Sequence, residues 1–318
     1  MFTSSILYSV LACLFWGLIF VGPLYLASFD CIDIVLGRFL AFGAGSLLTL
    51  GYVMVKHQDW KLLSYWKPAI LCSLIMNLGY FTALTLGMRL SNPSLITIIV
   101  GLAPIFIVGL ESRTENSPMP LSTLMKPVLA IFGGIILFNI ETLQSDWQTY
   151  SGWQYISGIL YGFLALAAWC WYVIYNTQFL QKNPHIKPVG WTALIGAVTL
   201  IFTVIASLVR WWTADPSYLQ KFSLNASGYL FIGVSLVLGL ICSLLAFSLW
   251  NMASSRLPSA LSGQLAILET IFGLIMISVY NQSMPTLLEF VGIALVIGGV
   301  WRGLYCYHKT TEAQSNAA

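Results

Sequence analysis

The stretch that decides the fold is Gly228–Trp250, which has the sequence GYLFIGVSLVLGLICSLLAFSLW and contains no charged side chain. A second run of this kind, Leu7–Ala27, lies near the start of the chain. Runs of about twenty apolar residues match the length of an α-helix that crosses a hydrocarbon core of about 30 Å. A membrane-spanning β-barrel would instead need segments of about ten residues with strict alternation. The two runs therefore predict a bundle of transmembrane helices.

The composition of the whole chain agrees with a lipid environment. Of its 318 residues, 58% are hydrophobic and 8% are charged, and the mean hydropathy is +0.84. A soluble domain carries about 25% charged residues, so this chain has too few charges to cover the surface of a soluble protein of its size. The composition thus excludes a soluble enzyme and a disordered scaffold. The net charge of +3 is too small to indicate a nucleic-acid partner.

Polar breaks and Pro or Gly residues divide the chain into ten predicted spans, which gives an all-α integral membrane fold. The connections between the spans are short, so that no soluble domain fits among them. The predicted spans are residues 4–27, 33–55, 68–89, 92–110, 122–140, 153–179, 188–210, 228–251, 257–280 and 287–307.

The Lys and Arg residues predict the orientation of the bundle. Ten of the 14 fall in predicted loops on the side of the membrane that holds the N-terminus, and three fall in predicted loops on the opposite side. Arg38 lies within the second span. Cytoplasmic loops carry an excess of Lys and Arg in membrane proteins. We therefore expect both termini to be cytoplasmic in a multi-pass protein.

An internal repeat relates the two halves of the sequence. A shift of 165 residues places Pro93 on Pro258 and the pair at 133–134 on the Gly pair at 298–299, and a shift of 153 places Trp16 on Trp169. Five helices are an odd number, so the second half enters the membrane from the opposite side, as in many secondary transporters. The sequence predicts two inverted five-helix repeats, 1–150 and 151–309, followed by a polar tail, 310–318, that we expect to fray.

Four stretches resemble signatures of the drug/metabolite transporter superfamily, in its EamA-type ten-helix form. Ala12–Phe20 (ACLFWGLIF) is similar to the signature of the first helix. Ala83–Glu111 is similar to the signature of the third and fourth helices, and Phe247–Gly273 repeats it in the second half. Gly292–Gly299 (GIALVIGG) resembles the glycine motif of the last helix. The resemblance covers about residues 8–307.

The resemblance implies an exporter in the cytoplasmic (inner) membrane that moves small metabolites such as amino acids, nucleotide-related compounds, polyamine-like cations or drugs. The chain departs from the pattern of the family at two positions in its second half. Glu269 stands where the first half has Pro104, and Met276 stands where it has Glu111. An unusual carboxyl group is thereby predicted deep in the ninth span.

Glu269 is the sharpest functional candidate, because it lies near the middle of its span. An ionisable group at the bilayer centre costs about 2.5–3.5 kcal/mol on insertion scales, so it is expected to face a cavity or a partner. A carboxyl group that gains and loses a proton there could couple export to the proton gradient. The alternative is a neutral Glu269 that forms a hydrogen bond to a neighbouring helix and serves only packing.

Arg38 is the second charged candidate within a span. It could pair with Glu269, or it could bind the carboxylate of a substrate with both arms of its guanidinium. The alternative is that it extends toward the outer interface with help from Asp33.

A set of aromatic and amide side chains completes the predicted substrate site. Aromatic walls and a few amide groups are typical of a small-molecule pocket, although Trp and Tyr also anchor helices at the membrane interface. Besides Arg38 and Glu269, the candidate substrate-binding residues are Trp16, Asn77, Tyr80, Trp169, Tyr172, Trp250 and Gln264.

These patterns predict a secondary active exporter that works by alternating access and is coupled to protons through Glu269. The sequence has no Walker A motif, no CxxC pair, no His spacing typical of a metal site and no catalytic cluster, so we expect no cofactor, no metal and no enzyme activity. The expected partners are a small-molecule substrate, the lipid bilayer and protons, in a monomer or weak dimer. A passive facilitator of the same fold, a membrane-embedded enzyme and a purely structural membrane protein are the alternatives.

Overall fold

The computed structural model describes residues 2–91, 93–111, 125–134, 136–137, 152–214, 218, 220–223, 225–282 and 286–317. Within these residues all of the regular secondary structure is helical and there is no strand, as predicted. Its ten helices are α1 (Phe2–Tyr25), α2 (Cys31–His57), α3 (Trp60–Leu90), α4 (Pro93–Gly101 and Ala103–Glu111), α5 (Met125–Gly134), α6 (Gly152–Lys182), α7 (Pro188–Thr213), α8 (Ala226–Ser254), α9 (Ser259–Tyr280) and α10 (Leu287–Ala317).

Seven of these helices are long and apolar enough to cross a membrane, namely α1, α2, α3, α6, α7, α8 and α9. α5 and the Phe290–Gly303 part of α10 are shorter apolar helices. Large apolar side chains such as Leu48, Val55 and Leu208 are exposed on the outside of the bundle, where contact with lipid would cover them. The chain is therefore a membrane-embedded helical protein.

The fourth predicted span is interrupted at Leu102, which separates its two helical segments. The reason is Pro104, because a proline has no N–H for the helical hydrogen bond and its ring crowds the carbonyl one turn earlier. The chain instead makes a tighter turn, in which the Leu102 N–H donates to the Ile99 carbonyl at 3.1 Å.

Two helices contain π-helical segments in their middle, Ser73–Tyr80 in α3 and Val237–Leu245 in α8. A π-segment holds one extra residue in the turn and is frequent at functional sites, because it frees carbonyl groups and rotates the helix that follows. Both segments were missed by the sequence analysis, which assumed regular α-helices.

The last helix corrects one expectation about the tail. We expected 310–318 to fray, but α10 continues to Ala317. The residues after Lys309 include neither Gly nor Pro, so nothing in this stretch ends the helix that precedes it.

The core is built by α1 against α8 and α9, α2 against α7 and α8, and α6 against α3 and α4. α2 and α7 approach closely at Gly43 and Gly196. A Cβ at Gly196 would lie 2.4 Å from the Cβ of Ser46, and a Cβ at Gly43 would lie 2.5 Å from the Cβ of Leu200. Only glycine lets the two backbones come this close.

Candidate functional site

Three tryptophans from three helices form the centre of the candidate site. The ring of Trp16 lies 5.3 Å from Trp169 and 5.2 Å from Trp250, and Trp169 lies 5.8 Å from Trp250. All three side chains are buried. We call these three residues the tryptophan cluster. Aromatic pairs at such distances, in tilted or edge-to-face geometry, stabilise a packed core by about 0.5–1.5 kcal/mol each beyond their burial.

Further aromatic rings surround the tryptophan cluster. Tyr80 lies 5.7 Å from Trp169, and Tyr172 stacks at 6.0 Å on the same indole. Phe247 contacts Trp16 at 5.1 Å. The sequence analysis predicted all of these positions except Phe247, and the structure brings the predicted aromatic residues together.

The π-segment of α8 positions two polar contacts at the cluster. The Trp16 indole Nε1 donates to the Cys242 carbonyl at 2.9 Å. The Ser243 hydroxyl donates to the Leu238 carbonyl at 2.9 Å and accepts a hydrogen bond from the Nε of Arg38 at 2.9 Å. Ser243 was not among the predicted residues, and a single serine in an apolar span gives no signal that an arginine will contact it.

Arg38 is buried in the bundle, with 2% of its surface exposed. Its guanidinium lies 4.1 Å above the ring of Phe81, a cation–π contact. Its Nη1 has no hydrogen-bond partner among the described residues. Arg38 does not extend to the surface, and Asp33 pairs with Arg210 instead. The site thus holds a guanidinium donor that no described protein group satisfies.

Glu269 is also buried, with 6% of its surface exposed. It lines a cavity of about 10 Å³ together with Trp169, Phe20, Pro104 and Thr270, which is about the space that one water molecule requires. Its charge interacts with that of Arg38 at longer range. Among the described residues the ion pairs are those of Arg210, so Arg38 and Glu269 share the site without touching.

Two predicted residues are held elsewhere in the bundle. The Asn77 Nδ2 donates to the Thr199 hydroxyl at 2.8 Å, which ties α3 to α7. Gln264 is buried on α9 beside α10, where its Oε1 lies 1.9 Å from the place that a Cβ on Gly303 would take. Neither amide atom of Gln264 has a partner in the described part of the chain.

A buried amide network joins α6, α7 and α8 next to the aromatic rings. The Asn176 Nδ2 donates to the Asn251 Oδ1 at 2.7 Å, and the Asn251 Nδ2 donates to the Thr192 hydroxyl at 2.8 Å. The Trp191 indole donates to the Asn176 Oδ1 at 2.8 Å. Four buried side chains thereby satisfy one another, which fixes the three helices relative to each other.

The arrangement can recognise a small molecule but offers no visible reaction centre. The described residues include no group of three or more His, Cys, Asp or Glu side chains that could hold a metal ion. What the site combines is a buried cationic donor, a buried carboxyl group and aromatic walls, which are elements of binding and orientation.

Comparisons with known proteins identify the family. The profile of the EamA-like transporter family matches residues 156–302. The chain is 30% identical over 305 residues to the inner membrane protein YtfF of Escherichia coli, covering 93% of this chain and 94% of that protein. It is 27% identical over 172 residues to the uncharacterized transporter YoaV of Bacillus subtilis, covering 54% of this chain and 56% of that protein.

A solved crystal structure agrees with the fold. It superposes with a TM-score of 0.71 at 16% sequence identity and covers 95% of this chain and 98% of its own. The similarity to YtfF extends over nearly the whole length of both chains, and the profile match lies within the same region. The chain belongs to the EamA-like transporter family of the drug/metabolite transporter superfamily.

Proposed function

We propose that the protein is a secondary active transporter that exports small metabolites, amino acids or related compounds, across the cytoplasmic membrane by alternating access. The observation that carries the proposal is Arg38, a buried guanidinium whose Nη1 has no partner among the described residues, at the wall of an aromatic cluster that also adjoins Glu269. An unneutralised charge at this depth is costly for a membrane protein. A substrate that brings a carboxylate would satisfy it.

The substrate site of this proposal lies between the two halves of the chain. Trp16, Arg38 and Tyr80 come from the first half, and Trp169, Trp250 and Glu269 come from the second. The carboxylate of the substrate binds Arg38, and its amine or another polar group lies toward Glu269. The aromatic rings form the walls around its side chain.

Alternating access needs two halves of similar build, and the π-segments support such a repeat. The segment in α3 is Ser73–Tyr80, and the segment in α8 is Val237–Leu245. A shift of 165 residues brings the first onto the second to within one residue. Both segments carry residues of the candidate site, so a π-helical segment at the site occurs once in each half.

The contact between α5 and α10 supports the inverted relation of the halves. A Cβ at Gly134 would lie 2.5 Å from the Gly292 carbonyl and 3.0 Å from the Val296 nitrogen. A Cβ at Gly299 would lie 2.8 Å from the Pro127 carbonyl and 3.2 Å from the nitrogen of residue 131. The shift of 165 residues converts Gly134, residue 131 and Pro127 into Gly299, Val296 and Gly292, so the two contacts are equivalent. A two-fold axis between the helices would relate them in this way.

The closed packing of the tryptophan cluster agrees with an occluded state. The cavity at Glu269 holds about 10 Å³, far less than an amino acid needs. In this proposal the substrate therefore enters only after the helices that carry the three tryptophans move apart on one side of the membrane. The excess of Lys and Arg in the loops on the N-terminal side supports cytoplasmic termini.

Transport assays test the proposal and the role of Glu269 together. An untargeted screen measures the metabolites in the culture medium of overexpressing cells and of deletion cells. The compound that the overexpressing cells export is then used in transport assays with proteoliposomes. We expect Arg38→Gln to abolish exchange of this compound. We expect Glu269→Gln to retain counterflow while it loses accumulation driven by a proton gradient.

Asp59→Asn is the matched control, because Asp59 lies in the loop between α2 and α3 and should leave both assays unchanged. Proton-driven accumulation that persists in Glu269→Gln contradicts coupling through this residue and favours a passive facilitator. Exchange that persists in Arg38→Gln contradicts the proposed site.

A further inference from the structure

A second pocket lies away from the tryptophan cluster, between α2, α7, the loop that follows α7, and α8. It has a volume of about 200 Å³ and is lined by residues that include Asp33, Gly37, Ser207, Arg210, Tyr218 and Phe231. We call it the Asp33 pocket. None of its lining residues belongs to the proposed substrate site.

The charged residues that line the Asp33 pocket are Asp33 and Arg210, and Arg210 also pairs with Asp30 outside it. The Arg210 Nη2 lies 2.6 Å from the Oδ2 of Asp30, and its Nε lies 3.4 Å from the Oδ1 of Asp33. One guanidinium thus serves two carboxylates. The Asp30 side chain is half exposed, while the Asp33 side chain is fully buried, so the charge of Asp33 is the one that solvent screens least.

Tyr218 fixes the orientation of the Asp33 carboxylate. Its hydroxyl donates to the Oδ1 of Asp33, the same oxygen that faces Arg210. Burial and this hydrogen bond raise the pKa of Tyr218 to about 12, so the phenol keeps its proton at physiological pH. Both contacts of Asp33 therefore use one oxygen, and the Oδ2 has no partner among the described residues.

Two further oxygen atoms beside the Asp33 pocket are without partners in the described part of the chain. They are the hydroxyls of Ser207 and Ser235. Ser207 lines the pocket, and the Ser235 Oγ lies 2.4 Å from the place that a Cβ on Gly37 would take. A buried polar atom without a partner costs about 1–3 kcal/mol, and here three such atoms adjoin one pocket.

The rest of the wall is aromatic and apolar. Phe222 lies 5.2 Å from Tyr218 and 5.1 Å from Phe231, and Trp211 also lines the pocket. Aromatic faces attract cations when these are shielded from water. The lining thus combines the Asp33 carboxylate, the Ser207 hydroxyl and several rings, and the Ser235 hydroxyl lies next to Gly37 in the same wall.

We propose that the Asp33 pocket binds a primary ammonium group that carries an apolar or aromatic body. A primary ammonium has three N–H donors and no acceptor, which matches three unpartnered oxygens and the negative charge of Asp33. The apolar body lies against Phe222 and Phe231. This inference does not rest on the transport proposal, since binding at the Asp33 pocket is measured without transport.

Binding of 2-phenylethylamine to the purified protein in a nonionic detergent tests the inference by calorimetry. We expect saturable binding at pH 7, where the amine is charged, and no binding of 2-phenylethanol or phenylacetate. We expect Asp33→Asn to weaken binding about tenfold or more, because it removes a charge-assisted hydrogen bond of about 1.5–3 kcal/mol. Asp59→Asn, the control, should bind as the wild type does.

A second variant keeps the inference testable if Asp33→Asn fails to fold. Ser207→Leu fills the pocket, keeps both carboxylates and the arginine, and adds only an apolar side chain to a membrane helix. We expect it to abolish binding while its unfolding temperature stays near that of the wild type. Equal binding of 2-phenylethanol, or unchanged binding in both variants, overturns the inference.

The ammonium group could belong to a soluble amine or to the headgroup of phosphatidylethanolamine. Nanodiscs of phosphatidylglycerol with and without phosphatidylethanolamine separate these sources. Weaker binding of 2-phenylethylamine in the presence of phosphatidylethanolamine assigns the pocket to the lipid, and equal binding assigns it to soluble amines. Both results support the ammonium pocket, and an absence of binding in all three media overturns it.

Discussion

Arg38 is a buried guanidinium that has no ion-pair partner among the described residues. Ser243 and the ring of Phe81 occupy its Nε and one face, and Nη1 has no partner among the described residues. A buried charge of this kind destabilises a fold unless geometry and hydrogen bonds compensate it fully. In the proposed function the carboxylate of the substrate compensates this charge, so replacing Arg38 is expected to change stability and transport in opposite directions.

We therefore expect Arg38→Met to raise the stability of the protein while it abolishes transport. Methionine fills a similar volume, and replacing buried charges with apolar side chains has been neutral or stabilising by about 1–4 kcal/mol. Thermal unfolding in detergent measures the first effect, and proteoliposome exchange measures the second. Arg256→Met, at an exposed position, is the control. A lower unfolding temperature in Arg38→Met would mean that the guanidinium serves packing.

At the scale of elements, the helices could be predicted and their contacts could not. Continuous apolar runs of membrane length identify α1, α2, α7 and α8 without further information. A helix that is apolar on all sides carries no periodic signal for the face that it buries. For that reason the sequence placed Arg38 and Glu269 within spans, but it left open whether Arg38 turns inward or toward the interface, and it did not indicate that Ser243 contacts Arg38.

The π-segments and the contacts between residues far apart in the sequence could not be predicted, for a related reason. An extra residue in a helical turn has no sequence signature, yet it rotates everything after it, including Trp250 and Asn251 in α8. The pair of Asp33 with Arg210 joins residues 177 positions apart, and only the packing of α2 on α7 brings them together. Asn77 was predicted to bind substrate together with Tyr80, but the packing of α3 on α7 places its amide against Thr199.

The amide network allows a prediction about how α6, α7 and α8 are held together. Asn251→Ala removes the acceptor of Asn176 and the donor to Thr192, and no water replaces them in a buried site. We expect a loss of about 2–4 kcal/mol, since each abandoned polar group costs about 1–3 kcal/mol. Chemical denaturation in detergent measures it. Asn281→Ala, at an exposed position after α9, should change stability by less than about 0.5 kcal/mol.

At the scale of the whole molecule, the few charges of the chain separate into three groups with different tasks. Most of the described Lys and Arg residues lie near the ends of helices or in the loops between them, and they are predicted to set the orientation. Asp30, Asp33 and Arg210 form a cluster at one end of α2 and α7. Arg38 and Glu269 remain inside the bundle, and they come from opposite halves of the chain. The proposed inverted repeat would bring one charge from each half to a central site.

The orientation of the bundle can be measured with single cysteines and a membrane-impermeant maleimide. Asp59→Cys lies between α2 and α3, on the side that the charge bias predicts to be cytoplasmic. Asn281→Cys lies after α9, on the side predicted to be external. Both are made with Cys306→Ser, because the other five cysteines are buried. In intact spheroplasts we expect Asn281→Cys to be labelled, and Asp59→Cys to be labelled only after permeabilisation. The reverse pattern would contradict cytoplasmic termini and place the Asp33 pocket on the cytoplasmic side.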